Sequence, residues 1–257
     1  MKVIEGNIEL TSMNFSEIPE VLSDVDYVMG SFFMNYNRLK NLKNCPKSIR
    51  FGNVNFSNNS LTSLVGGLKS VGVDSSQVEH FIKLDGNKLT SLEGFPKLLG
   101  KPFDVYLGGN SLSTLGNNIL PEVALLDLSG NPLTSLQGCP QKIGNRNSIY
   151  KGLSVADTNL KSMVGGPKTI IGYLDISYTG IDSIEGFPNS VDGALIMGGT
   201  PLAKIIRDNY SRSDIVALRQ KIDSIFKDGM YENFDEYEDN ATYNDDIHMD
   251  DYEEDDV

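Results

Sequence analysis

Tryptophan is absent from these 257 residues, and histidine and cysteine occur only twice each. Two cysteines, Cys45 and Cys139, are too few for a disulfide-stapled scaffold or a cysteine-based metal site. His80 and His248 have no partner cysteine, serine elbow or carboxylate at a recognisable spacing, which removes the usual nucleophilic and zinc-assisted chemistries. No stretch approaches the roughly 18 apolar residues of a membrane helix, and the start, Met1 to Asn7, lacks the apolar core of a secretory leader. P-loop, dinucleotide-glycine and His-Glu-x-x-His motifs are missing too, since Gly108-Gly109 and Gly198-Gly199 fall in repeated turns. These absences predict a cytoplasmic protein with no enzymatic activity, no cofactor, no metal and no membrane attachment.

Positive charge is missing from one end only. All 22 Lys and Arg lie at or before Lys227, whereas 13 of the 35 acidic residues follow Gly229, so the net charge of −13 belongs to the last 28 residues and the remainder balances. Like charges without counterions repel and bury too little surface to fold alone, so 230–257 reads as a disordered acidic tail. Tyr231, Phe234, Tyr237, Tyr243 and Tyr252 punctuate it with rings that a purely solvating tail does not need. Acidic spacing with aromatics can imitate a phosphate backbone for a basic or nucleic-acid-binding protein.

What is present is one phrase repeated nine times: apolar, any, apolar, two small or polar residues, Asn or Thr, any, apolar, two more, apolar. Ile82-Leu84-Asn87-Leu89-Leu92 and Leu126-Leu128-Asn131-Leu133-Leu136 are the cleanest copies. The anchors are Met13, Asn37, Asn59, Asn87, Asn110, Asn131, Thr158, Thr179 and Thr200, spaced by 24, 22, 28, 23, 21, 27, 21 and 21. A fixed period of this length specifies a solenoid. Apolar pairs five and three residues before each anchor, such as Phe32 and Met34 or Leu174 and Ile176, share one face of a short strand because side chains alternate. An anchor Asn can satisfy backbone donors and acceptors inside the stack, and Thr does so less completely. After the anchor, Gly-x-Pro phrases such as Gly94-Phe95-Pro96 forbid a long helix, leaving extended chain, turns and 3₁₀ pieces on the return path. Cys45 and Cys139 stand where other copies have Phe95 and Phe187, which reads as small buried hydrophobes.

This phrase, at this period, resembles the leucine-rich repeat family over about residues 3 to 206, and the short repeats and return-path proline are similar to its bacterial and bacteriophage class. The resemblance implies an α/β solenoid: a leucine-rich repeat horseshoe with a short-stranded parallel sheet on the concave side, a mostly non-helical return path, and a protein as ligand. Residues 1–22 hold a degenerate, Met-anchored copy that reads as an N-terminal capping repeat, followed by the solenoid at 23–210. Ile215, Leu218, Ile222, Ile225 and Phe226 recur at helical spacing within 211–229, with Ser213 as N-cap and Gly229 as stop, which reads as a C-terminal capping helix.

Two places are candidates for recognition besides the tail. Positions six, four and two before each anchor point outward from the strand, and they gather Phe33, Phe81, Lys83, Asp85, Asp104, Tyr106, Asp127, Tyr173 and Asp175 on one wall. Rings among polar groups suit a protein-binding surface, although rings on a sheet also stack on one another to stabilise it. Two repeats are long just before a strand, at Gly72–His80 and Gly144–Gly152, and the second loop brings Arg146, Tyr150 and Lys151. Lys47, Lys69, Lys97 and Lys168 sit on the return path as a solvated face, and no basic groove with interleaved aromatics argues for direct nucleic-acid binding. The expectation is a protein-binding module whose partner carries a basic patch; the alternatives are an inhibitor acting through the acidic tail and a structural or virion component.

Overall fold

Each copy enters with two or three residues of strand, turns at its anchor, and returns along the opposite side to begin again one layer on. A computed structural model describes this path for residues 1–73, 80–100, 102–116, 120–148, 151–208 and 213–226. The entering strands are β2 (Ile8–Glu9), β4 (Phe32–Phe33), β6 (Val54–Asn55), β8 (Phe81–Lys83), β10 (Asp104–Tyr106), β11 (Leu125–Asp127), β13 (Gly152–Ser154), β15 (Tyr173–Asp175) and β17 (Leu195–Ile196). They form one nine-stranded parallel sheet in the order β17-β15-β13-β11-β10-β8-β6-β4-β2. The protein is a parallel β-solenoid of about eight turns.

The anchors hold consecutive turns together. Asn59 donates from Nδ2 to the carbonyls of Phe56 in its own turn (3.1 Å) and Met34 in the previous one (2.9 Å), while its Oδ1 accepts the Leu39 amide (3.0 Å). Asn37, Asn87, Asn110 and Asn131 repeat this pattern. Thr158, Thr179 and Thr200 each donate only to the carbonyl three residues earlier, all at 2.8 Å. A hydroxyl has one proton and a shorter reach than a carboxamide, so the bridge to the preceding turn is lost. Met13 has no preceding turn to bridge and is exposed.

Inside the stack the alternating apolar residues form a continuous core. Phe32, Val54, Ile82, Val105, Leu126, Leu153, Leu174 and Leu195 are all essentially inaccessible, and Phe32 meets Phe56 edge-on at 5.3 Å. Each such side chain contributes about 1.5–3 kcal/mol relative to exposure. Cys45 and Cys139 are buried free thiols within it. Burial raises both thiol pKa values, Cys139 to about 12.

On the return side, extended chain was expected, and much of it pairs. β1 (Val3–Ile4), β3 (Tyr27–Val28), β5 (Ser48–Ile49), β7 (Ser70–Gly72) and β9 (Lys97–Leu99) make a five-stranded parallel sheet, and β12 (Lys142–Ile143), β14 (Thr169–Ile170) and β16 (Ser190–Val191) make a three-stranded one. Their inward residues Val28, Ile49, Val71, Ile143, Ile170 and Val191 are fully buried and all β-branched, the side chains that fill a pleated surface best. Between the two sheets only a single bridge, Val123 to Ile143, continues the ladder among the described residues. The tight turns before these strands need glycine: at Gly138 φ is +90° and a Cβ would lie 2.4 Å from the Gly116 carbonyl oxygen.

The last return path departs from the non-helical expectation. Pro201–Asp208 forms helix α1, with the Thr200 hydroxyl accepting the Ala203 amide (3.0 Å) as an N-cap and Pro201 in the first turn. A second helix, α2 (Ser213–Ile225), follows. Leu202 and Ile206 of α1, Ile222 of α2 and the adjoining Phe226 are buried, and Phe226 bridges to Val191 of β16. No helix among the described residues is long and apolar enough to cross a membrane.

Candidate protein-binding wall

Strand alternation and in-register parallel pairing place one outward residue from every turn in a single row. Glu9, Phe33, Asn55, Lys83, Tyr106, Asp127, Ser154, Asp175 and Ile196 are consecutive Cα partners across the nine-stranded sheet. A second row two residues earlier runs Phe81, Asp104, Leu125, Gly152, Tyr173. Asp85 lies two residues beyond Lys83. All nine candidate wall residues therefore share one face of one sheet.

The N-terminal half of the wall is largely occupied with itself. Phe33 and Phe81 come from strands two apart and stack across Asn55 at 6.2 Å with planes 8° apart. The Lys83 ammonium lies 5.2 Å from the Phe81 ring centre and 4.8 Å from that of Tyr106. A cation over two ring faces is held by their quadrupoles. Asp85 is the exception. Its Oδ1 is buried with no hydrogen-bond partner, and burial raises the carboxyl pKa above its ordinary 3.8 despite the attraction of Lys83.

The C-terminal half is open. Asp127 Oδ1 accepts the Ser129 amide (2.9 Å) and hydroxyl (2.7 Å), and Asp175 Oδ1 accepts the Ser177 amide (2.9 Å) and hydroxyl (2.6 Å). Asn55 holds Ser57 in the same way at 3.0 and 2.7 Å. Between the two aspartates, β13 and the residues after it present only Gly152, Ser154 and Ala156 outward. The result is a depression of about 310 Å³, banked by Leu125 and Asp127 on one side and Tyr173 and Asp175 on the other, with Tyr106 and Ile196 beyond them. Gly152, at φ +139°, makes room for Tyr173: a Cβ there would stand 2.8 Å from the ring. Burial, followed by the charges of Asp127 and Asp175, pushes the Tyr173 phenol up to about 12, so it is a neutral hydroxyl at physiological pH.

Of the other candidates, Arg146 and Lys151 are among the described residues. Arg146 is exposed in the turn before β13, and the Lys151 stem rests against Gly172. Tyr150, Tyr231, Phe234, Tyr237, Tyr243 and Tyr252 lie outside the described residues, as does most of the Gly72–His80 loop. His80 itself is buried against Phe103, with ring centres 5.6 Å apart. On the return side Lys47, Lys69, Lys97 and Lys168 are all exposed, and Lys47 pairs with Asp26 at 2.6 Å. No group of three or more His, Cys, Asp or Glu side chains among the described residues is arranged to hold a metal ion.

One repeated feature escaped the sequence pattern. The residue before the anchor is left-handed at all nine anchors, with φ between +52° and +71°, and it is Ser12, Tyr36, Asn58, Asp157 or Tyr178 where it is not glycine. Two exposed tyrosines, Tyr36 and Tyr178, thus stand at the rim of the wall in a conformation that L-residues avoid. Comparison with protein-family models, curated proteins and solved structures finds no match to this chain.

Proposed function

We propose that this chain is a leucine-rich repeat-like, non-enzymatic module that binds a basic protein in the cytoplasm through the concave face of its nine-stranded sheet, with α1 and α2 closing the C-terminal end. One observation carries the reading: the outward row from Tyr106 to Ile196 leaves a depression with two aspartates and two tyrosines around it, whose carboxylates make no ion pair with a basic side chain among the described residues. Aromatic anchors within a polar rim are what protein interfaces use, and unopposed carboxylates select a cationic partner and accelerate its arrival. Affinity capture with the full chain and with the Asp104→Lys, Asp127→Lys, Asp175→Lys triple variant tests it. Loss of capture in that variant, with retention in a Lys69→Glu, Lys97→Glu return-side control, is the expected result. Equal capture by both sinks the concave site.

The segregation of all excess negative charge after Gly229 favours a second reading, in which the aromatic acidic tail occupies the basic surface of a nucleic-acid-binding protein. Truncation after Gly229 separates the two. Binding that survives the truncation belongs to the wall, and binding that disappears with it belongs to the tail.

A further inference from the structure

We propose that the depression over β13 receives a single arginine side chain from the partner protein, its stem lying over Ser154 and its guanidinium held between the banks of Asp127 and Asp175. This rests on the concave-wall reading and names the group that the wall takes.

The first argument is shape. β11 and β15 are two strand spacings apart, about 10 Å, and β13 between them offers outward only the three small residues Gly152, Ser154 and Ala156. The opening is one side chain wide, and its volume of about 310 Å³ suits a long side chain rather than a helix or a strand. The second argument is charge. Asp127 and Asp175 stand on opposite banks, each fixed through one oxygen by its own serine, so a cation meets carboxylates that are already ordered. The acidic tail of this chain is repelled from such a place. The third argument distinguishes arginine from lysine: the Tyr173 and Tyr106 rings border the depression, and a planar guanidinium stacks on ring faces while donating sideways to carboxylates on two sides, which a compact ammonium does not do.

The wall contains its own control for removing the charge. Asn55 holds Ser57 through the same pair of hydrogen bonds that Asp127 and Asp175 make, so Asp127→Asn and Asp175→Asn keep the local geometry and delete only the negative charge. Ser154→Leu fills the floor and leaves both carboxylates.

The test is an NMR titration of the full chain with three blocked tripeptides, alanine-X-alanine with X as arginine, lysine or citrulline, the last being the neutral isostere of arginine. The arginine peptide is expected to shift the amides of Gly152, Ser154 and Tyr173. Citrulline should leave them unmoved, lysine should bind ~tenfold more weakly, and the double Asn variant should weaken the arginine peptide by ~tenfold or more. Ser154→Leu should abolish the shifts while circular dichroism and melting stay as in the parent. Equal binding of citrulline, unchanged binding by the double Asn variant, or shifts confined to Phe33 and Phe81 would each overturn the assignment. So would shifts that follow protein concentration without peptide, which mark a second copy of the chain as the occupant. Loss of partner capture in the triple wall variant, combined with no arginine-induced shift, overturns the arginine assignment and leaves the wall reading intact.

Discussion

Asn131 accepts the amide of Leu112 on its Oδ1 at 3.0 Å and donates from Nδ2 to Leu107 at 2.9 Å, so one side chain ties its own turn to the one before it. Its counterpart Thr179 donates only to Ile176 within its own turn. Asn131→Ala strands a buried amide and loses bonds to two buried carbonyls, at about 1–3 kcal/mol for each group left unsatisfied. We expect a loss of about 3 kcal/mol for Asn131→Ala and about 1 kcal/mol for Thr179→Ala. Chemical denaturation of both variants checks this, and equal losses contradict the role given to the cross-turn bridge.

Tyr36 has φ +54° with its ring mostly in solvent. A left-handed residue with a Cβ costs about 1–2 kcal/mol, while glycine adds about 0.5–1 kcal/mol of unfolded-chain entropy. Four of the nine anchors have glycine at this position. Tyr36→Gly is therefore expected to raise stability, by roughly 0.5–1 kcal/mol. A destabilised variant means that the ring makes a contact that outweighs the backbone strain.

Asp85 is a carboxylate whose pKa burial raises above 3.8. The folded state then holds its proton more tightly than the unfolded chain, so stability is lost as pH rises from the ordinary value through the raised one. Asp85→Asn escapes this loss. The variant should gain on the parent by up to about 1 kcal/mol at neutral pH, discounted for its partial exposure, and should show no such gain at acid pH below 3.8. Melting curves across that range decide it, and a gain independent of pH points to packing instead of charge.

Cys45 and Cys139 are buried and carry raised thiol pKa values. Reaction requires the thiolate and access, so neither should alkylate in the native protein at neutral pH except through opening of the stack. Mass spectrometry after mild iodoacetamide treatment should find both unmodified and, after denaturation, both modified. Rapid native labelling of either places it outside the core.

The rows of the sheet were legible because side-chain parity is invariant: once Asn87 and Asn131 fixed the phase, Lys83, Tyr106, Asp127 and Asp175 had to face the same way. The anchor bonds were legible for a similar reason, since a carboxamide at a buried turn has few other uses. The return sheets were not, because their distance to the next anchor varies, nine residues from Val28 to Asn37 but sixteen from Val71 to Asn87. Their signal was the recurring pair Ser48-Ile49, Ser70-Val71, Thr169-Ile170 and Ser190-Val191, masked by the glycines and prolines beside it. Helix α1 was hidden by the repeat itself: Thr200 reads as one more anchor, yet Thr-Pro followed by Leu202, Ala203 and Ile206 is also a helix start. The depression over β13 is a matter of three small residues in one copy, and it becomes visible only when the copies are laid side by side.

The return-side ladder is interrupted, among the described residues, where the wall changes character. Between β9 and β12 the turns are joined along the nine-stranded face and by the Asn131 bonds to Leu107 and Leu112, while behind it Val123 to Ile143 is the one strand bridge among the described residues. The break falls between Tyr106 and Asp127, at the boundary between the half of the wall that stacks on itself and the half that stays open, so at that step the nine-stranded face and the Asn131 carboxamide carry the continuity of the stack.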